Sequence, residues 1–393
     1  MNSVTEEKND SILSHKPKTI WSESWKRLKK DNLAILGGSI IILMILVAIF
    51  AKFISPYDPN YQFNNGTTSY GMPFPPNTYS KKIIAKRINT EKEFTIKAST
   101  LFKSGEYIFR TVGNTKVKKG MSEVSFEVAP LNLKHIKAGS GINITTDDKI
   151  KNEFISMTLE NDKYFLLGTD ASGRDSLSRL IWGAQVSLQV GILAIGLATI
   201  IGVILGLISG YFGKWIDLII MRLTDIMMSM PDLLLVMALV SVLPSQDDKS
   251  SQGVGIIIFS IGIVSWTGIA RMVRSQVLTV KEMEFIEASK ASGSSNFTIL
   301  FKHLLPNVIA PIIVISTMSI AGAIMTEAAL SFLGFGVKSP TASWGSMVNE
   351  GLGFFRDAPW VPIIPGIAIA VSVFSFNLFG DGIRDALDPK LKK

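Results

Sequence analysis

The chain has 393 residues, 47% hydrophobic and 18% charged, with a formal net charge of +8. It lacks cysteine, which excludes disulfides and thiol chemistry, and its three histidines (His15, His135, His303) are too far apart in sequence to suggest a histidine-rich metal site. The hydrophobic residues gather in windows of about twenty with almost no charge, the length that crosses a bilayer, so the positive charge reads as topology anchors and not as a nucleic-acid surface.

Residues 1–32 are polar and read as a cytoplasmic segment. Within them, Trp21–Lys30 suits an interfacial amphipathic helix with Trp21, Trp25 and Leu28 on one face. The first span is expected at 33–54. It is too long for the apolar core of a signal peptide, and no small-residue cleavage site follows. Lys16, Lys18, Lys26, Arg27, Lys29 and Lys30 before it place the N-terminal side in the cytoplasm.

Residues 55–165 change character. Prolines open the stretch, and the segments EFTIKAS, EYIFRTV, EVSFEVA and FISMTLE then alternate with period two. That is the signature of strands, so a small β-rich insert is expected outside the membrane. It reads equally as a binding domain or a tethered spacer.

Residues 166–191 carry the next polar block. Ser172 and Asp175 suit a capping box, with Leu177, Leu180, Ile181 and Ala184 on one helical face behind it. Capping and substrate gating both account for its polar residues. A second span follows at about 182–209. Gly202, Gly206 and Gly210 recur every fourth residue, so one face admits close approach of another helix. The third span is expected at 218–243. Arg222 and Asp225 are spaced to pair, and Pro231 should bend the helix. That pair reads as structural or as part of a substrate site. An acidic outer loop is expected at Pro244–Gly253, then a fourth span at 254–270 anchored by Arg271 and Arg274.

The stretch 281–307 is polar, yet it lies between two apolar runs. Glu284 to Ala291 suits a short amphipathic helix that Gly293 ends in the left-handed conformation. A second helix should start at Ser294–Phe297 and run to Pro306. The fifth span is expected at 308–333. It contains Glu327, an ionisable group that is costly there unless paired or wetted, and so is placed near the outer end. The sixth span is expected at 361–379. Six spans and the basic flanks put both termini in the cytoplasm.

Glu287-Ala288-Ser289, Gly293 and Leu305-Pro306 resemble the EAA loop of ABC importer permeases, with Ser289 in place of the second alanine. Gly168, Thr169, Asp170, Gly173, Arg174 and Asp175 resemble the segment before span two in C-type permeases of the dipeptide/oligopeptide/nickel importers. Thr326–Met347 and Asn377–Pro389 match that family too. The resemblance covers 166–393 almost continuously, and the long connection at 61–165 departs from it.

The resemblance implies an all-α integral membrane protein of the type I importer permease (MetI-like) fold, with span one packed outside a core of spans two to six. It implies a multi-pass protein of a bacterial plasma membrane, a homologous B-type permease subunit, two ATP-binding subunits and an extracellular substrate-binding lipoprotein. It also implies that Glu284, Phe285, Glu287, Ala288, Ser289, Gly293, Leu305 and Pro306 couple the chain to the ATPases. No G-x-x-x-x-G-K-[ST] loop is present, and no nucleophile–base arrangement is visible. The chain is therefore expected to be non-catalytic and without a cofactor of its own, with ATP and Mg on partner subunits. A peptide is the expected cargo, and a metal–chelator complex the alternative within the family. An ion-coupled transporter would need several intramembrane carboxylates, and Glu327 stands alone. A membrane-anchored binding protein, with the insert as its active part, is the remaining rival.

Overall fold

The computed structural model describes residues 20–68, 71–98, 100–104, 107–131, 152–243 and 252–388. The basic stretch before residue 20, most of the acidic loop expected at Pro244–Gly253, and the tail from Pro389 lie outside the described residues.

The helices are α1 (Ile20–Leu28), α2 (Asn32–Ile49), α3 (Ser176–Phe212), α4 (Lys214–Met228), α5 (Asp232–Val242), α6 (Gln252–Lys281), α7 (Glu284–Ala291), α8 (Leu305–Phe332), α9 (Trp344–Gly351) and α10 (Trp360–Leu387). Among the described residues, five helical stretches are long and apolar enough to cross a membrane: Asn32–Ile49, Ser176–Phe212, Gly253–Lys281, Asn296–Phe332 and Trp360–Leu387. In the first, only 22% of the apolar window is buried inside the protein. An apolar helix left that bare is at home in lipid, where its backbone polar groups are satisfied internally.

The third expected span is instead two helices. The chain turns through 90° between α4 and α5, with Pro231 at the N-cap of α5. Proline supplies no amide there, so the break falls where the helix ladder loses a donor. Two other expectations change. The outer helix and span two are one continuous helix of 37 residues, about 55 Å long at 1.5 Å per residue. The helix of the expected fourth span, α6, runs on to Lys281, so Arg271 and Arg274 lie within it and not at its end.

Glycine holds α3 against α6. A Cβ on Gly202 would come 2.8 Å from the Ile269 Cβ, one on Gly206 2.7 Å from the Ala270 carbonyl oxygen, and one on Gly210 2.8 Å from the Val277 Cβ. The expected small-residue face is therefore a real seam. Elsewhere α2 lies on α10, where a Cβ on Gly37 would meet the Ser375 carbonyl at 2.7 Å.

Between α2 and α3 lies a five-stranded sheet of order β3-β4-β6-β1-β7, with a separate β2–β5 pair. The strands are β1 (Thr78–Arg87), β2 (Phe94–Ile96), β3 (Leu101–Ser104), β4 (Tyr107–Thr111), β5 (Thr115–Val117), β6 (Glu123–Pro130) and β7 (Phe154–Phe165). Neighbouring strands are antiparallel, with Ile83 opposite Phe126 on one side and Leu159 on the other. Alternation in β6 sends Val124, Phe126 and Val128 inward to join Ile83, Ala85, Phe102, Phe109 and Phe154 in a core separate from the helical ones. The interior strand β1, between β6 and β7, carries no strand signal in the sequence, because Lys81-Lys82-Ile83-Ile84 breaks the alternation.

Candidate functional site

At the α7 end of the bundle the chain leaves α6, makes a turn and starts α7 after Met283. Glu284 and Glu287 lie in the first turn of α7 and Lys290 in its last, each sign favourable to the helix dipole. Gly293 ends the helix with φ +77°. Its amide donates to the Lys290 carbonyl (3.0 Å), and Ser294 donates to Ser289 (3.1 Å). This is a Schellman closure with glycine where a side chain would be strained.

The chain re-enters with Ser295 capping the amide of Thr298 (3.2 Å). The second helix does not stop at Pro306. It passes through a wide π turn, Ile299–Leu304, and continues as α8. In the π turn Leu305 donates to Leu300, five residues back. The wider register accommodates a proline that cannot join an α ladder.

This segment is anchored on one side and bare on the other. Ile286 is fully buried, in one cluster with Tyr211, Val277, Val280, Ile299, Leu300 and Leu304. Glu284, Phe285, Glu287, Ala288 and Gly293 are exposed, Ser289 and Leu305 are half-buried, and Pro306 is exposed. The sequence reading missed Phe297 and Phe301, whose rings lie 4.5 Å apart and are 70% and 41% exposed beside this surface. Their i,i+4 spacing, off the face of Ile299, Leu300 and Leu304, was the available signal.

The expected Arg222–Asp225 pair is not formed. Asp225 pairs with Arg271 at 2.7 Å, and Asp217 takes Arg274 through two bonds of 2.5 and 2.6 Å. Both aspartates face α6, so pairing between helices displaces pairing along one. Arg222 is exposed and has no ion pair among the described residues. These groups line an open recess of about 430 Å³.

The motif before span two lies at the opposite end. Asp175, not Ser172, caps α3, accepting the Ser178 amide at 2.8 Å and its hydroxyl at 2.6 Å. Burial pushes the Asp175 carboxyl above the usual carboxylate range, while those bonds work against the rise. Asp170 instead closes the turn, accepting the Ser172 and Arg174 amides (2.8 and 2.9 Å). The Thr169 hydroxyl donates to the Gly66 carbonyl (2.5 Å) and accepts the Phe74 amide (2.8 Å). Gly168 and Gly173 both have φ +74°, and a Cβ on either would strike the backbone of the 63–75 segment. The motif therefore fastens the base of the β-rich insert to α3.

Arg174 and Arg179 extend this anchorage. Arg174 bonds Asp170 (2.6 Å) and Glu350 (2.5 Å), and Arg179 lies 3.3 Å from Asp170 and 2.9 Å from Glu350. Glu327 is fully buried nearby, accepting Ser187 at 3.0 Å and Ser331 at 2.7 Å. It is satisfied by hydroxyls and stitches α8 to α3. Among the described residues no group of three or more His, Cys, Asp or Glu could hold a metal.

The family described as "Binding-protein-dependent transport system inner membrane component" matches residues 202–393, and "N-terminal TM domain of oligopeptide transport permease C" matches 19–76. The glutathione transport system permease protein GsiD of Escherichia coli O157:H7 is 32% identical over 375 residues, covering 95% of this chain and 92% of the relative. The dipeptide transport system permease protein DppC of Alkalihalophilus pseudofirmus is 46% identical over 226 residues, covering 57% of this chain and 72% of the relative. The chain belongs to the C-type permease family of binding-protein-dependent ABC importers. A solved inward-facing structure of the MetNI methionine ABC transporter matches 54% of this chain and 97% of its own at 20% identity, with a TM-score of 0.43. As a permease subunit of this family the chain is an integral membrane protein with a place in the translocation pathway.

Proposed function

We propose that this permease imports peptides, driven by ATP hydrolysed on two separate subunits that dock on α7 and the turn at Gly293. The observation that carries this reading is the build of that segment. A short helix shows its acidic and aromatic face to solvent while Ile286 locks it to the ends of α3, α6 and α8. An exposed surface fixed to several long helices receives a push and moves them together. Such coupling needs a differential interaction with the two states of the pathway.

In this reading α4 and α5 form one bent span, giving six crossings. Both termini and the α7 segment face the cytoplasm, and the β-rich insert faces outward. A homologous B-type permease completes the pathway, and an extracellular substrate-binding lipoprotein delivers the cargo. A peptide is the cargo supported by the names of the relatives, which transport dipeptides and glutathione.

Gly293→Val tests this reading. Nothing lies within 4 Å of a Cβ at Gly293, so the substitution adds no clash. It acts through the left-handed backbone, at a cost of about 1–2 kcal/mol for an L-residue. The variant should insert and assemble normally, and ATP hydrolysis should no longer drive uptake. Normal uptake per ATP hydrolysed would refute the coupling role.

A further inference from the structure

We infer that Tyr211 is a positioning residue that carries movement of the α7 turn into α3 and α4. This rests on the ATPase-docking reading and deepens it. The backbone joins the docking segment only to α6 before it and α8 after it. Along the backbone α3 and α4 are reached only the long way, back through α6 and α5, so a direct push from the docking segment reaches them through non-covalent contacts.

Tyr211 supplies such contacts at three points. It lies in the last turn of α3, next to the Gly213 corner that starts α4. Its hydroxyl donates to Asn296 Oδ1 at 2.7 Å, where the chain re-enters after Gly293. Its carbonyl accepts Lys281 Nζ at 2.6 Å, at the last residue of α6. The Lys281 and Lys290 ammonium groups stand 5.8 and 5.9 Å from the ring centroid, within cation–π range. One buried side chain thus touches the entry, the body and the exit of the docking segment.

The corner beyond it is stiff. Asp217 in the first turn of α4 is held by Arg274 of α6 and by Ser209 of α3. Apolar packing around Ile286 resists separation but gives little direction. The Tyr211 hydroxyl and carbonyl fix direction, because hydrogen bonds weaken steeply off their axis. A phenylalanine would fill the same cluster without the hydroxyl, so that group serves something beyond packing.

The test uses the assembled complex with cysteine-free partner subunits. This chain has no cysteine, so spin labels can be placed singly. One label on Trp215→Cys reports α4 and one on Ala291→Cys reports α7, each measured against a label at Leu352→Cys. Distances are compared between the nucleotide-free and ATP–vanadate states. Both labels should move in the otherwise unaltered protein. Tyr211→Phe and Asn296→Ala should each roughly halve the Trp215 movement while Ala291 still moves, and the double variant should lose no more than either, as for one shared contact. Asn296→Asp keeps an acceptor and should restore the movement.

Undiminished Trp215 movement in Tyr211→Phe and Asn296→Ala, or none in the unaltered protein, would overturn the inference. Additive losses in the double variant would overturn it too. An Ala291 label that stays still in the unaltered protein would instead defeat the docking reading itself.

Discussion

Glu350 holds two guanidinium groups at once. It reaches Arg174 at 2.5 Å and Arg179 at 2.9 Å, and Arg179 is fully buried. With Asp170 the cluster balances two positive and two negative groups. Glu350→Ala would leave both arginines to share Asp170. The expected loss is about 3 kcal/mol, the low end for stranding a buried charge, because Glu350 retains 26% side-chain exposure. Thermal unfolding in detergent should show it, and Glu350→Gln, which keeps an acceptor, should lose less. An unchanged melting temperature in the alanine variant would mean that the cluster contributes nothing net. The sequence showed Asp170 and Arg174 through their family spacing, but Glu350 lies far along the chain, near the end of the short helix α9, with no local pattern to mark it. The opposite failure occurred at Arg222 and Asp225. Their spacing suited a local pair, and a partner on another helix outcompeted it. Residue-level reading works only where no partner on another element competes for the same group.

The seam between α3 and α6 shows what element-level patterning reveals. Gly202, Gly206 and Gly210 stand on one face by spacing alone, and the facing helix is there. Even one methyl group is too much at Gly206, since its Cβ would meet the Ala270 carbonyl at 2.7 Å. A backbone carbonyl yields only if the helices part, so Gly206→Ala should cost about 1–3 kcal/mol, the range for overpacking. Gly196 lies on the same helix with nothing within 4 Å of a Cβ. Gly196→Ala should be neutral or stabilise by up to about 1 kcal/mol through helix propensity. Melting temperatures of the two variants should therefore move apart. A shared fall would show that glycine is needed along α3 for some reason other than the seam. Hydropathy located the long apolar helices as well, because lipid demands apolar residues all round. It placed their ends less well. The π turn at Ile299–Leu304 carries no hydropathy signal, and it lets one helix run through Pro306 where a stop was expected.

At the scale of the whole molecule, α3 separates two unlike ends. One carries the five-stranded sheet fastened by the Gly168–Asp175 motif. The other carries α7 and the exposed aromatic pair. Lys281, Lys290 and Lys302 lie in or beside the α7 segment, and the proposed orientation keeps this short basic stretch in the cytoplasm. The lysines of the sheet do not compete, because long segments cross largely regardless of charge. The absence of cysteine makes the arrangement testable with single labels. Ile155→Cys sits on an edge strand at a side chain 72% exposed, and Lys290→Cys sits on the bare face of α7. In sealed right-side-out vesicles a membrane-impermeant maleimide should modify the first and spare the second until the membrane is opened. The two positions lie at opposite ends of a helix about 55 Å long, longer than the roughly 30 Å hydrocarbon core. Modification of both in sealed vesicles would mean that α3 does not carry the chain across. Modification of Lys290→Cys alone would turn the molecule over, and the exposed helix would then face away from any source of ATP.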